Sequence, residues 1–185
     1  MREQARKAIV LDRDGVINED SSEYIKRVDE WKPLPGSLDA IADLSRAGYA
    51  VFVVSNQSGL NRGLFGFDEL ARIHRRMREA VEGAGGELAG IYYCPHRPDE
   101  ACSCRKPSPG MLQQLAREHD VALAGIPFVG DKWSDIQAAR AVGARPLLVL
   151  TGHGSATAAE HGAEIAEVYA DLAAAVRSLL SENAS

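Results

Sequence analysis

Short, nearly continuous apolar runs alternate along the chain with segments whose apolar residues recur every three or four positions. The runs at 7–11 (KAIVL), 50–54 (AVFVV), 90–93 (GIYY), 127–129 (PFV) and 146–150 (PLLVL) predict strands. Unbroken runs rich in β-branched and aromatic residues suit strands buried on both faces, as in parallel sheets. The segments between them predict helices. Over 37–47 the apolar positions are Leu38, Ile41, Ala42 and Leu44, and Gly48 supplies the stop. Over 68–82 they are Leu70, Ile73, Met77 and Val81, with Asp68 as the expected cap. Further helices are predicted over 110–119, 135–142 and 171–180, with a fraying tail beyond. The alternation predicts a doubly wound, three-layer α/β/α domain around a mostly parallel sheet.

Two stretches interrupt this rhythm. Residues 17–35 join the first strand to the first helix through a long polar segment, and 95–109 holds four prolines. Loops this long inside a compact domain are typically functional. Neither is large enough for a cap domain, so 1–185 is expected to be a single domain. The composition, 45% hydrophobic and 25% charged, is that of an ordinary globular protein. Twenty-six acidic against twenty-one basic residues give a net charge of −5. That balance disfavours nucleic acid and anionic membranes as partners. The basic run Arg72, Arg75, Arg76 and Arg78 accordingly reads as the solvated face of a helix. The most apolar stretch, 47–54, falls far short of the roughly 18 residues of a membrane span. Residues 1–7 are polar and charged and lack the apolar core of a signal peptide. A cytoplasmic monomer is expected.

In open α/β sheets ligands sit beyond the carboxyl ends of the strands. Asp12, Arg13, Asp14 and Gly15 follow the first predicted strand. Ser55, Asn56, Gln57 and Ser58 follow the second, and Gly130, Asp131, Lys132 and Asp135 the fourth. Carboxylates, a hydroxyl and a lysine therefore converge on one sheet edge. Asp12 and Asp14, two residues apart, can face one site, and Asp131 brings a third carboxylate. Close carboxylates repel unless a cation lies among them, and hard oxygen ligands suit Mg²⁺. Such a carboxylate can attack phosphorus, and a second can protonate the leaving alcohol. Ser55, backbone N–H groups and a lysine can hold the phosphoryl oxygens.

The three cysteines form a second constellation, Cys94-x-His96 followed by Cys102-x-Cys104. Three thiolates and an imidazole complete a tetrahedral Zn²⁺ set with no open position, so the metal is expected to be structural. A loop of about 94–109 with almost no apolar residues needs such a staple. Arg105 and Lys106 follow Cys104 directly, so fixing Cys104 fixes both cations. In the long first loop Asn18, Glu19, Asp20 and Tyr24 are candidates for bonding a polyol. His74, His119 and His161 read as partnerless, and His153 as a loop residue near the rim. Trp31 and Trp133 read as packing or rim residues.

D-R-D-G at 12–15, V-V-S-N at 53–56, R-K-P at 105–107 and G-D-K-x-x-D at 130–135 resemble, in order, the four motifs of the haloacid dehalogenase superfamily. The resemblance runs from about 7 to 150 and implies a Rossmann-like fold. It implies Asp12 as nucleophile, Asp14 as general acid/base, and Ser55 and Lys106 as phosphoryl ligands. Mg²⁺ would sit on Asp12, Asp131 and the carbonyl of Asp14. Val16 stands where many members carry Thr. N-Q-S-G-L-N-R-G at 56–63, with G-I-Y-Y-C-P-H at 90–96, resembles the heptose bisphosphate phosphatases of bacterial heptose synthesis more than the histidinol-phosphate phosphatases. That likeness implies Mg²⁺-dependent release of the 7-phosphate of a sugar bisphosphate through an aspartyl-phosphate. The implied substrate contacts are Asp12, Arg13, Asp14, Asp20, Tyr24, Ser55, Asn56, Gln57, Ser58, Arg105, Lys106 and Lys132, with Arg105 on the non-reacting phosphate.

Overall fold

The computed structural model describes residues 7–182. Six strands form one parallel sheet: β1 (Ala8–Leu11), β2 (Ala50–Asn56), β3 (Gly90–Cys94), β4 (Pro127–Gly130), β5 (Arg145–Val149) and β6 (Val168–Tyr169). Their order is β3-β2-β1-β4-β5-β6. The chain winds outward from β1 in one direction, then returns to its other side at β4. A crevice opens where the winding reverses, beyond the carboxyl ends of β1 and β4.

Side chains of a strand alternate between the two faces of the sheet, and both faces here are apolar. Ile9, Leu11, Val51 and Val53 point to one face. There they meet Ile41 and Leu44 of α1 (Ser37–Arg46), Ile73, Met77 and Val81 of α2 (Phe67–Gly83), and Leu172, Val176 and Leu179 of α6 (Leu172–Glu182). Val10, Phe52 and Val54 point to the other face, against Met111, Leu112 and Leu115 of α3 (Gly110–His119) and Ala138 and Ala139 of α4 (Trp133–Ala141). The continuous apolar runs are thus two interleaved half-cores, which is why no polar alternation marks them.

Several boundaries move. The first strand starts at Ala8 rather than at 7, although the Lys7 carbonyl still accepts the Ala50 N–H at 2.8 Å. Helix α2 begins at Phe67 with Gly66 as its cap, so Asp68 lies inside the first turn and not at the expected cap position. Helix α4 begins at Trp133, two residues before the expected start, because the Asp135 carboxylate turns back to accept the Lys132 N–H at 3.0 Å. Two elements escaped the pattern. Strand β6 has two residues, and α5 (Gly154–His161) is built mostly from alanine and small polar residues with no apolar period. The last helix runs to Glu182, past 180. Residues 1–6 and 183–185, with the polar leader and the end of the expected tail, lie outside the described residues. No helix among the described residues is long and apolar enough to cross a membrane.

Phe52 is fully buried at the centre of the second half-core. Phe52→Ala is expected to cost about 3–5 kcal/mol of unfolding free energy. Urea denaturation followed by tryptophan fluorescence reads this directly, and a loss under about 1 kcal/mol would mean that the face repacks freely.

Candidate active site

The crevice between β1 and β4 is where the charged residues gather. Asp12 leaves the end of β1 with its N–H bonded to the Val129 carbonyl at 2.9 Å. The chain then turns sharply at Gly15, whose φ is +85°. A side chain there is excluded twice: by this left-handed backbone, and because a Cβ would lie 2.2 Å from Asp131 Oδ2. Gly152, beyond β5 and also left-handed, comes within 2.3 Å of the same oxygen by the same test. Two glycine turns therefore close around Asp131.

Asp12, Asp131 and Asp135 are all buried and bring carboxylate oxygens within 4.8 Å of one another. The cation partner inside the protein is Lys106. Its Nζ lies 2.9 Å from Asp12 Oδ1 and 2.7 Å from Asp135 Oδ1, and donates to the Val54 carbonyl at 2.7 Å. Lys132 Nζ stands 4.0 Å from Asp131 Oδ1 at the rim, so two lysines face three carboxylates and negative charge is still in excess. Burial first, then neighbouring carboxylates, push Asp131 up to about 8 and Asp12 up to about 6. Burial alone would lower the pKa of Lys106, yet Asp12 and Asp135 outweigh it and hold the lysine charged. Asp131 Oδ1 is buried without a hydrogen-bond partner. An oxygen-only site with excess negative charge and an orphaned carboxylate oxygen fits a hard divalent cation.

Asp14, expected to join the same carboxylates, is turned to a different set of partners. Its Oδ1 accepts from Asn18 Nδ2 at 2.8 Å and Arg13 Nε at 2.9 Å. Its Oδ2 accepts from Arg13 Nη2 and Gln57 Nε2, each at 2.9 Å. Burial works against ionisation here, but the Arg13 charge and the donors from Asn18, Gln57 and Arg13 prevail and hold Asp14 below the usual range. Asp135, which carried no role in the sequence beyond its motif, takes the third place in the carboxylate cluster. The spacing of Asp131 and Asp135 across a helix start was the available signal.

The other expected residues sort by position. Arg13 and Asn18 are fully buried, so both stand behind Asp14 rather than facing a ligand. Asn18 is therefore not a polyol contact. Asn56 clamps the backbone of Lys106, its Nδ2 donating to the carbonyl and its Oδ1 accepting the N–H, both at 3.0 Å. Ser55 and Ser58 are buried at the β2 end. Val16, the departure from the motif, is buried in the first half-core and has no polar task.

At the open rim Asp20 Oδ2 meets Lys132 Nζ at 2.8 Å and His153 Nε2 at 3.2 Å. His153 also donates its backbone N–H to Asp131 Oδ2 at 2.8 Å, so it belongs to the site rather than to a bystander loop. Asp20 and Tyr24, with Glu19, Glu23 and Lys26, border a polar cavity of about 340 Å³ beside it. The remaining histidines do have partners: His119 packs its ring on Phe52 at 4.7 Å, His161 stacks on Trp133 at 4.0 Å, and His74 leans on Tyr93. Trp31 is buried in the core. Arg72, Arg75 and Arg76 are solvent-exposed as expected, whereas Arg78, expected on the same solvated face, is half-buried and donates to the Leu88 carbonyl at 2.8 Å.

The second constellation closes on itself. Cys94 Sγ lies 3.2 Å from Cys104 Sγ and 3.8 Å from Cys102 Sγ. His96 Nδ1 lies 3.4 Å from Cys94 Sγ and 3.2 Å from Cys104 Sγ. Zn–S bonds of about 2.3 Å in a tetrahedron imply sulfurs about 3.8 Å apart, which is the Cys94–Cys102 spacing; the Cys94–Cys104 pair is tighter, so the cluster is compatible with one Zn²⁺ that would spread that pair. The Arg105 guanidinium beside them donates to the His96 carbonyl at 3.1 Å.

The chain belongs to the HAD-like hydrolases. A HAD-hydrolase-like family model matches residues 103–175. Proteins named D-glycero-β-D-manno-heptose-1,7-bisphosphate 7-phosphatase are similar over nearly their whole length. That of Pseudomonas putida is 51% identical across 94% of this chain and 99% of its own, and that of Pseudomonas aeruginosa 51% identical across 95% and 99%. The crystal structure of D,D-heptose 1,7-bisphosphate phosphatase from B. bronchiseptica, in complex with magnesium and phosphate, superposes with a TM-score of 0.92 at 51% identity, covering 95% of this chain and 99% of that one.

The raised carboxyls give a test with a definite sign. Asp12 and Asp131 hold protons more tightly folded than unfolded, where their ordinary value is 3.8. Their contribution to stability is complete below about 4 and is lost as pH rises through about 6 to 8. A cation replaces the proton. Added Mg²⁺ is therefore expected to raise the melting temperature of chelator-treated protein more at pH 8.5 than at pH 5. Equal shifts at both pH values would contradict a carboxylate cation site.

Proposed function

We propose that this chain removes the 7-phosphate of D-glycero-D-manno-heptose 1,7-bisphosphate, taking the β anomer, in the cytoplasm and as a monomer. The observation that carries this reading is the Asp12 carboxylate. One oxygen, Oδ1, is held by the Arg13 N–H at 2.7 Å and by Lys106, which leaves Oδ2 to attack. The names of the similar proteins supply the substrate and the anomer. A set of free thiols suits a reducing compartment.

In this mechanism Asp12 Oδ2 forms a bond to phosphorus as the bond from phosphorus to the C7 oxygen breaks. Asp14, ionised among its donors in the free protein, first takes up a proton as the substrate's negative charge enters the site, then gives it to that oxygen, and heptose 1-phosphate departs. Asp14 then takes a proton from water, whose oxygen attacks the aspartyl-phosphate. Phosphate leaves and the Asp12 carboxylate is restored. The Ser55 hydroxyl holds the transferring oxygens, joined by Lys106 once the ammonium gives up one of its contacts to Asp12, Asp135 or the Val54 carbonyl. Asp12, Asp131 and the Asp14 carbonyl would bind Mg²⁺, with Asp135 beside them. The ion, when bound, draws charge from the phosphoryl oxygens. Cys94, His96, Cys102 and Cys104 would bind a structural Zn²⁺. Arg105, Lys132, Asp20 and Tyr24 are assigned to the rest of the sugar bisphosphate, Arg105 to its far phosphate.

Phosphate release is the test. The bisphosphate is expected to be preferred over histidinol phosphate, the β anomer over the α, with Asp12→Asn losing at least about 10³-fold in kcat. Preference for histidinol phosphate would overturn the substrate and keep the chemistry. Cys104→Ser is expected to lower both bound zinc, read by atomic absorption, and kcat. A zinc-free folded variant with full activity would separate the staple from Lys106.

A further inference from the structure

The turn from β5 into α5, residues 151–153, supplies no group to the mechanism above, yet this segment is fastened to the cation site at three points. The His153 N–H donates to Asp131 Oδ2 at 2.8 Å. The Thr151 hydroxyl donates to the Gly15 carbonyl at 2.6 Å. The Thr157 hydroxyl, one turn into α5, donates to the Asp131 carbonyl at 2.8 Å. So close an approach needs glycine at position 152, where a Cβ would lie 2.6 Å from the Gly15 Cα as well as against Asp131. Thr157 and Asp131 are both buried, so water does not compete for their bond.

These donors leave the Asp131 carboxylate asymmetric. Oδ2 has a fixed donor and two glycine turns against it. Oδ1 is buried without a hydrogen-bond partner, with Lys132 Nζ 4.0 Å away. The turn therefore holds one oxygen back and leaves one for a ligand, which suits a small octahedral ion better than a large ion that takes carboxylates two oxygens at a time. Thr151 acts on a second ligand. Gly15 follows Asp14, whose carbonyl is assigned to the same ion, so a held Gly15 carbonyl fixes the peptide next to that ligand. We infer that Thr151 and Thr157 are positioning residues of the cation site: their hydroxyls tie the loop after β1 and the end of β4 to one turn, and so hold Asp131 and the Asp14 carbonyl in place for Mg²⁺. The inference rests on the Mg²⁺ site of the reading above.

A hydroxyl that places metal ligands is separable from one that merely supports the fold. Losing the second kind lowers the melting temperature and leaves the affinity for the ion alone. Losing the first weakens the ion. The measurement is Mg²⁺ binding by isothermal titration calorimetry, on protein dialysed against Mg²⁺-free buffer, with the melting temperature taken in the same buffer. Thr151→Val and Thr157→Val keep the side-chain shape and remove the donor, whereas Thr151→Ser and Thr157→Ser keep the donor and remove a methyl. The valine variants are expected to raise the Mg²⁺ dissociation constant about tenfold or more, and the serine variants less than about threefold. Thr151 is only half-buried, so Thr151→Ala serves if the valine variants do not fold. Folded variants without the hydroxyl that bind Mg²⁺ as tightly as the unsubstituted protein would overturn the inference, as would serine variants as weak as the valine ones. Failure of the unsubstituted protein to take up Mg²⁺ would remove the cation site itself and this assignment with it.

Discussion

Three buried carboxylates facing one buried lysine form the constraint around which the rest of the molecule is arranged. Coulomb repulsion among Asp12, Asp131 and Asp135 is strong because the crevice excludes water, and Lys106 offsets only part of it. The surplus negative charge makes the site demand a cation. It also demands a scaffold rigid enough not to spread the three groups apart. The sheet supplies that rigidity, since Asp12 and Asp131 extend neighbouring parallel strands whose register is set by two buried faces.

Asp14 lies two residues from Asp12 yet lives in a different electrostatic world. Asp12 shares its pocket with like charges and is raised. Asp14 is surrounded by donors and is lowered. Two chemically identical side chains are thereby given different proton affinities, in the reverse of the order that an ionised nucleophile and a protonated acid need, so a cation at Asp12 and a substrate at Asp14 have to invert it. The device that separates them is Arg13, the residue between them, whose backbone N–H serves Asp12 and whose side chain serves Asp14.

Much of this was legible from the chain. The five longer strands declare themselves because both faces of the sheet are apolar, and the carboxylates follow because chemistry in such folds collects at strand ends. Cys94, His96, Cys102 and Cys104 were legible from residue type alone. Four features were not. Strand β6 is too short for any periodicity, and α5 has no apolar stripe. His153 looked like an ordinary loop residue because its partners, Asp20 and Asp131, are distant in sequence. The inward turn of Arg13 and Asn18 depends on side-chain direction, which motif order does not carry. Sequence places residues on a loop, whereas packing decides which of them look at the ligand and which look at each other.

All of the chemistry leaves the sheet at one end of its strands. The turns at 47–49, 84–89, 120–126 and 142–144 lie at the other end, where chains enter β2, β3, β4 and β5. Parallel winding therefore gives the molecule a working pole and an idle one. A tether, label or fused partner attached at the idle pole hangs on the far side of the sheet from the crevice, which makes that pole the natural handle for immobilising the protein.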